Sequence, residues 1–380
     1  MTMDDIGRLT EADEGINHQI ADTFASVRES DRGWTEKIWG SIARKDGGLQ
    51  IDFGLGRYPN RNVIDGFGGV SRNYEQWTVR ASRELASDFD SMSIGPVRYE
   101  VVEPLKKVRF ALDRNKSQPI SFDVLFEGEL PPFFEKRNRL RTFTRVSQDV
   151  VRYHQAGKVS GWLEVDGERH EIGDDWFAFR DHSWGMRGDG IGQIASDLQP
   201  ATSRGSQMRI MWGPWLLKRP DGSKYEIMHF VNASEHYQYF SAHVNEADGS
   251  QHAIRHMAPN MKFDSNTRVF KGMEVELTME TGEKRHVEVS AIGDSGFYLR
   301  TAEYGSWKGF RHGAWRGAYH EDGEYIPSML DILTQTGQFR DKPVMVREGD
   351  AVGFGIQETI LIGVYPELGL TAESDFPSNL

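Results

Sequence analysis

The run Phe179-Arg180-Asp181-His182-Ser183-Trp184-Gly185-Met186-Arg187 gathers an acid, an imidazole, an indole and two guanidiniums within nine residues. That density of polar groups is costly if it only builds a core. An imidazole titrates near neutral pH, so His182 can take up and return a proton, and Asp181 can fix its tautomer. On a strand, Arg180, His182 and Trp184 line one face, with Asp181 and Ser183 on the other. One face then sets a titratable ring beside an aromatic wall. The competing reading is structural: a buried arginine–aspartate pair with a packed tryptophan at a strand end.

A second set of residues could wall a ligand. Trp212, Trp215, Tyr225, Tyr237 and Tyr239 supply flat apolar faces, and Tyr237 and Tyr239 are spaced to share one side of a strand. They suit barrel-core packing, or contact with a flat or isoprenoid-like ligand. A desolvated aromatic face also stabilises a developing cation, by up to about 2 kcal/mol. Arg180 or Arg187 could hold a polar substituent or pair with Asp181. Glu358 sits in a glycine-rich apolar strand and is expected to meet an arginine or face a cavity, because an unpaired buried carboxylate is expensive. The stretch Gly309 to Gly317 loosely echoes the first motif, with His312 and Trp315 three apart, as a duplicated barrel would give.

Other motifs lead nowhere. Gly66-Phe67-Gly68-Gly69 lacks the strand–helix setting of a dinucleotide loop. Gly293-Asp294-Ser295-Gly296 looks like a serine-hydrolase fragment, but alternating runs flank it, so a hairpin turn is expected. His252 and His256 have helical metal spacing without the glutamate of a zincin. The reading is therefore no metal site and no cofactor.

The elements that must position these residues are mostly strands. Asp-Gly pairs punctuate alternating segments at Asp166-Gly167, Asp221-Gly222, Asp248-Gly249 and Asp322-Gly323, with Thr281-Gly282 as a looser case. Hairpin turns need positive φ, which is why such pairs signal antiparallel sheet. No strand–helix rhythm supports a parallel sheet. A helix is expected at the N-terminus, capped near Thr10 and carrying Ile16, Ile20, Phe24 and Val27 at helical spacing. A second fits Pro327 to Gln335. The glycines, proline and polar residues of Asp189 to Ser206 suit a boundary.

Composition narrows the function classes. The chain has 380 residues, ten Trp, 21 Phe and a formal charge of −12. Its length suits two domains or one large β architecture, and its aromatics can wall a cavity. Net acidity argues against a nucleic acid or anionic membrane as partner. Absence of cysteine removes disulfides and thiolate chemistry. No apolar run is long enough to span a bilayer, and Met1 to Ile20 does not read as a signal peptide, so a cytoplasmic protein without stable membrane insertion is expected.

The Asp-His-x-Trp cluster within a glycine-rich chain of hairpins resembles the tandem lipocalin-like family that includes carotenoid 1,2-hydratase (hydroxyneurosporene synthase). Ile94 to Pro104 and Gly353 to Glu358 resemble stretches recurrent in uncharacterised bacterial members. On that resemblance, Asp181, His182 and Trp184 match the acid, histidine and tryptophan of the hydratase motif. The hydratases' downstream Tyr-x-Asp pair has no counterpart near Arg209 to Trp212. The resemblance implies an all-β protein of two lipocalin-like antiparallel β-barrels with a cavity at their junction. The expected division is an N-terminal helical segment over residues 1–40, a first barrel over 41–195 and a second over 196–380. The expected function is a cofactor-independent lyase, hydratase or isomerase. It would move a proton on a small hydrophobic, unsaturated or aromatic substrate held between the barrels. His182, Asp181 and Trp184 would be catalytic, and Arg180, Arg187, Trp212, Trp215, Tyr237 and Tyr239 would contact substrate. A non-catalytic carrier of hydrophobic metabolites, or a pericyclase, is the alternative. A homodimer is compatible with the sequence.

Overall fold

A computed structural model describes residues 31–86, 91–142, 145–187, 207–234, 238–336 and 338–371. The expected N-terminal helix, the 189–206 boundary and Tyr237 lie outside the described residues.

The first sheet begins as a meander of β1 (Trp34–Arg44), β2 (Leu49–Tyr58), β3 (Val63–Arg72) and β4 (Glu75–Glu84). A second run follows, with β5 (Ser93–Ile94), β6 (Val97–Glu103), β7 (Lys107–Leu112) and β8 (Ile120–Gly128). Short β9 (Phe133–Phe134) and β10 (Asn138–Thr142) lead to the long β11 (Arg145–Val165), then β12 (Glu168–Ile172) and β13 (Trp176–Met186). β13 lies between β1 and β11 and joins the two runs into one curled antiparallel sheet.

The second sheet holds β14 (Met208–Lys218), β15 (Lys224–Ser234), β16 (Gln238–Glu246), β17 (Gln251–Phe263), β18 (Phe270–Met279), β19 (Lys284–Ala291) and short β20 (Phe297–Tyr298). The chain then crosses back. β21 (Tyr319–Ile326) adds to the edge of the first sheet beside β4, and helix α1 (Met329–Thr336) follows. Finally β22 (Arg340–Glu348) and β23 (Ala351–Ile362) complete the second sheet. Pairing of β19 with β22 closes it into a barrel. Closure removes the exposed edges that an open sheet leaves. The fold is all-β, two lipocalin-like units, with the first curled but open.

The Asp-Gly turns appear where the pattern placed them at Gly167, Gly222 and Gly249, with the looser Gly282, all at positive φ. Asp322-Gly323 differs. It lies inside β21, with Asp322 opposite Arg80 and Gly323 opposite Val79. Arg80 and Arg316 bind the Asp322 carboxylate, a tertiary partnership that local turn chemistry does not reveal. Residues 292–296 also differ from the hairpin reading, since β20 pairs with β22 and not with β19. The Lys342 ammonium donates to the carbonyls of Ile292, Gly293 and Ser295 and holds that connection. His312 lies in irregular chain between β20 and β21, so the echo of the first motif does not mark a duplicated strand.

Strand alternation sorts the core. Ile38, Ile42, Phe53, Phe110, Phe126 and Ala178 fill the concave side of the first sheet. Trp39, Ala43, Phe177 and Phe179, one residue out of phase, meet Trp212, Met228 and Ile356 between the two units. Full burial of each large apolar side chain contributes about 1.5–3 kcal/mol. The same parity places the polar residues of β1 and β13.

Candidate functional site

His182 and Trp184 point to the concave side of the first sheet, in phase with Ala178. His182 pairs across β13 with Ile38 on β1 and with Tyr153 on β11. Glu36, two residues before Ile38, therefore lies on the same face. Its Oε1 is 2.9 Å from His182 Nε2. The Tyr153 hydroxyl is 3.2 Å from His182 Nδ1. The imidazole is thus bracketed by a carboxylate and a phenol. With Glu36 accepting from Nε2–H, the Nδ1 lone pair faces the Tyr153 hydroxyl. The bond to His182 holds the Glu36 carboxyl below the usual carboxylate range, against the effect of burial.

Aromatic rings surround this chain. Trp184 packs edge-on against His182 with ring centres 5.5 Å apart, and against Tyr153 at 6.3 Å. Phe134 touches both Tyr153 and Trp184 and is 56% exposed. The His182 side chain is 24% exposed and Glu36 39%, so the group opens to solvent on its aromatic side. Arg180 lies deeper. It donates twice to Gln155 Oε1 and stands 3.5 Å from the Tyr153 hydroxyl.

Asp181 is on the opposite face, as strand alternation requires. It meets Arg152 at 3.3 Å, and Arg152 also meets Glu135 at 3.3 Å. Burial raises the Asp181 carboxyl above its ordinary range, with Arg152 opposing. Glu36, and not Asp181, is the carboxylate that orients His182. Trp212 joins the Asp181 side, donating from Nε1 to Glu135 at 3.1 Å and packing edge-on against Trp39 at 5.0 Å. The Tyr239 hydroxyl donates to the Lys136 carbonyl, and burial and then Glu135 push its pKa up. Arg187 donates to Thr35 and Ser183, and burial next to Arg152 brings it down to about 10. Trp215 is apart from both groups, fully buried in the second barrel against His229. Burial lifts Glu358 to about 8, with Asp341 adding to the rise and Arg152 opposing.

Sequence reading therefore placed the imidazole and indole on one face and missed Glu36 and Tyr153. Both sit at alternating positions in strand-like runs, Thr35 to Trp39 and Val150 to His154. That is the only local signal, and it does not identify their partner. A half-enclosed cavity lined by described residues lies elsewhere. It has room for one or two water molecules and is lined by Lys37, Asp65, Glu303, His312 and Arg316. Among the described residues, no group of three or more His, Asp or Glu side chains is arranged to hold a metal ion. No described helix is long and apolar enough to cross a membrane.

The chain is similar in structure to AttH from Nitrosomonas europaea, at 13% identity and a TM-score of 0.53, over 90% of this chain and 97% of that one. Kievitone hydratase from Nectria haematococca aligns at 12% identity with a TM-score of 0.48, over 86% and 89%. CghA with Sch210972 aligns at 10% identity with a TM-score of 0.42, over 87% and 88%. The likeness to AttH shows a shared fold. No curated protein matches the sequence. The family model described as "Family of unknown function (DUF8625)" matches residues 9–371, nearly the whole 380-residue chain, and the protein belongs to that family.

Proposed function

We propose that this protein is a cofactor-independent lyase, hydratase or isomerase that moves a proton on a small unsaturated or aromatic molecule. The observation that carries the reading is the chain Glu36–His182–Tyr153 set against Trp184 and Phe134. Glu36 holds the imidazole so that Nδ1 faces the phenol. His182 then takes the Tyr153 proton as the phenol oxygen removes one from substrate, and the same path run backwards delivers it. Arg180 stands where it would steady the phenolate. Trp184 and Phe134 form the wall for a flat apolar substrate, and the Trp184 face stabilises positive charge as it develops. A positioned acid–base group contributes about 10²–10⁴-fold to rate. Substrate then binds on the concave face of the first sheet, with Asp181, Arg187, Trp212 and Tyr239 behind β13 as supports of that wall.

The test is carbon–hydrogen exchange in deuterated water, followed by NMR over a panel of phenols and α,β-unsaturated ketones. The expected result is catalysed exchange with at least one compound, falling about 100-fold or more in His182→Ala and in Tyr153→Phe with circular dichroism unchanged. Exchange equal in wild type and His182→Ala would overturn the proposal. Tight binding without exchange in either protein would do the same, in favour of a carrier.

A further inference from the structure

Behind the His182 face, β1 presents a second polar group. Lys37 is on the opposite side of the strand from Glu36, 8% exposed, with its Nζ against His312 Nδ1 and 4.3 Å from the centre of the Tyr304 ring. Its cross-strand neighbour is Gly56, which adds no side chain at that place. The half-enclosed cavity begins here and runs to Glu303 and Arg316. His312 Nε2 lies against the Ala302 carbonyl, which only accepts, so Nε2 carries the hydrogen. Nδ1 therefore offers a lone pair to Lys37.

We propose that Lys37 is an amine nucleophile that forms an imine with a small aldehyde entering this cavity. The amine nitrogen bonds to the aldehyde carbon, and His312 Nδ1 carries one proton from that nitrogen to the carbonyl oxygen, which becomes a hydroxyl. His312 Nδ1 then carries the nitrogen's second proton to that hydroxyl. The carbon–oxygen bond breaks, water leaves, and the carbon–nitrogen double bond forms. No oxidant or reductant enters. The small volume selects a short aldehyde over a ketone with two substituents. Desolvation is a known route to a reactive lysine. Here burial and then Arg187 bring Lys37 down to about 7. Asp65 and Asp181 oppose that fall and Arg152 adds to it. Burial, then Lys37 itself, keeps His312 well below its usual range and so neutral. By contrast Lys106, 70% exposed and paired with Glu103, is held above the ordinary lysine value.

The experiment treats the full chain at neutral pH with acetaldehyde and cyanoborohydride, then maps ethylated lysines by peptide mass spectrometry. The expected result is labelling of Lys37 about 10-fold or more above Lys106, with the ratio shrinking as the pH rises towards the ordinary lysine range. In His312→Asn, labelling of Lys37 falls while that of Lys106 holds. If that variant does not fold, the pH dependence of the ratio in unaltered protein decides. Lys37 unlabelled, or labelled only in step with Lys106 at every pH, would overturn the proposal. This site does not depend on the His182 reading, because neither residue of the pair touches that group.

Discussion

Glu36 and Lys37 are consecutive on β1, yet their side chains serve opposite faces of one sheet. The carboxylate reaches His182 on the concave side, and the ammonium reaches His312 on the other. A strand turns successive residues to opposite faces, so one dipeptide supplies two separate polar groups.

The Glu36–His182 bond has a titration signature. The Glu36 carboxyl is held below the ordinary range by that bond. Its contribution to stability is present above the ordinary carboxyl pKa and disappears as pH falls through the lower folded value. A carboxyl carbon NMR titration of His182→Ala is expected to show the Glu36 midpoint moving back up towards about 4.3. A midpoint that stays where it is in wild type would show that His182 is not its partner.

Asp52 and Asp341 come from different sheets, are fully buried, and act on each other's charge. Burial raises both carboxyls well above the usual value, and the mutual charge adds to the rise at Asp341. Buried carboxyls raised in this way keep their protons beyond the ordinary carboxyl range. Their stabilising contribution is full below the ordinary carboxyl range and is lost as pH rises through the elevated folded values. Thermal melting across that window is expected to show a falling Tm in wild type. Asp341→Asn should lessen the fall, because Asp52 is then the only one of the pair left to charge in the interior.

His154 and Glu226 join the units at 2.8 Å, with Glu226 fully buried. Burial would lower the His154 pKa, but Glu226 outweighs it and the net direction is upward. His154→Ala leaves the carboxylate without its cation, a loss of about 3–5 kcal/mol in urea unfolding below the ordinary histidine pKa. The gap between variant and wild type should narrow as pH rises through the elevated value, where wild type loses the paired charge.

Gly69 on β3 lies under Phe297 of β20, where a Cβ would come within 2.1 Å of the ring. Gly69→Ala should destabilise by about 1–3 kcal/mol through forced repacking. Chemical denaturation would read this, with the barrel core around Trp215 serving as an internal fluorescence control.

Much of this architecture was legible in residue order. Asp-Gly pairs with positive φ fixed several hairpins, and period-two alternation put Arg180, His182 and Trp184 on one face with Asp181 on the other. Asp322-Gly323 shows the limit. The same dipeptide sits in mid-strand because Arg80, distant in sequence, and Arg316, six residues before it, hold the aspartate.

What the sequence by itself determined is therefore local: which residues are extended, where the chain turns, and which side chains share a face. Those properties follow from backbone sterics and strand periodicity. The partners were decided by tertiary structure alone. Ile38 opposite His182 brings Glu36 to the imidazole, and Tyr153 opposite His182 brings the phenol. Register between strands more than a hundred residues apart, such as β1 and β13, depends on how the whole sheet closes, and a single-residue slip would send each group to the other face.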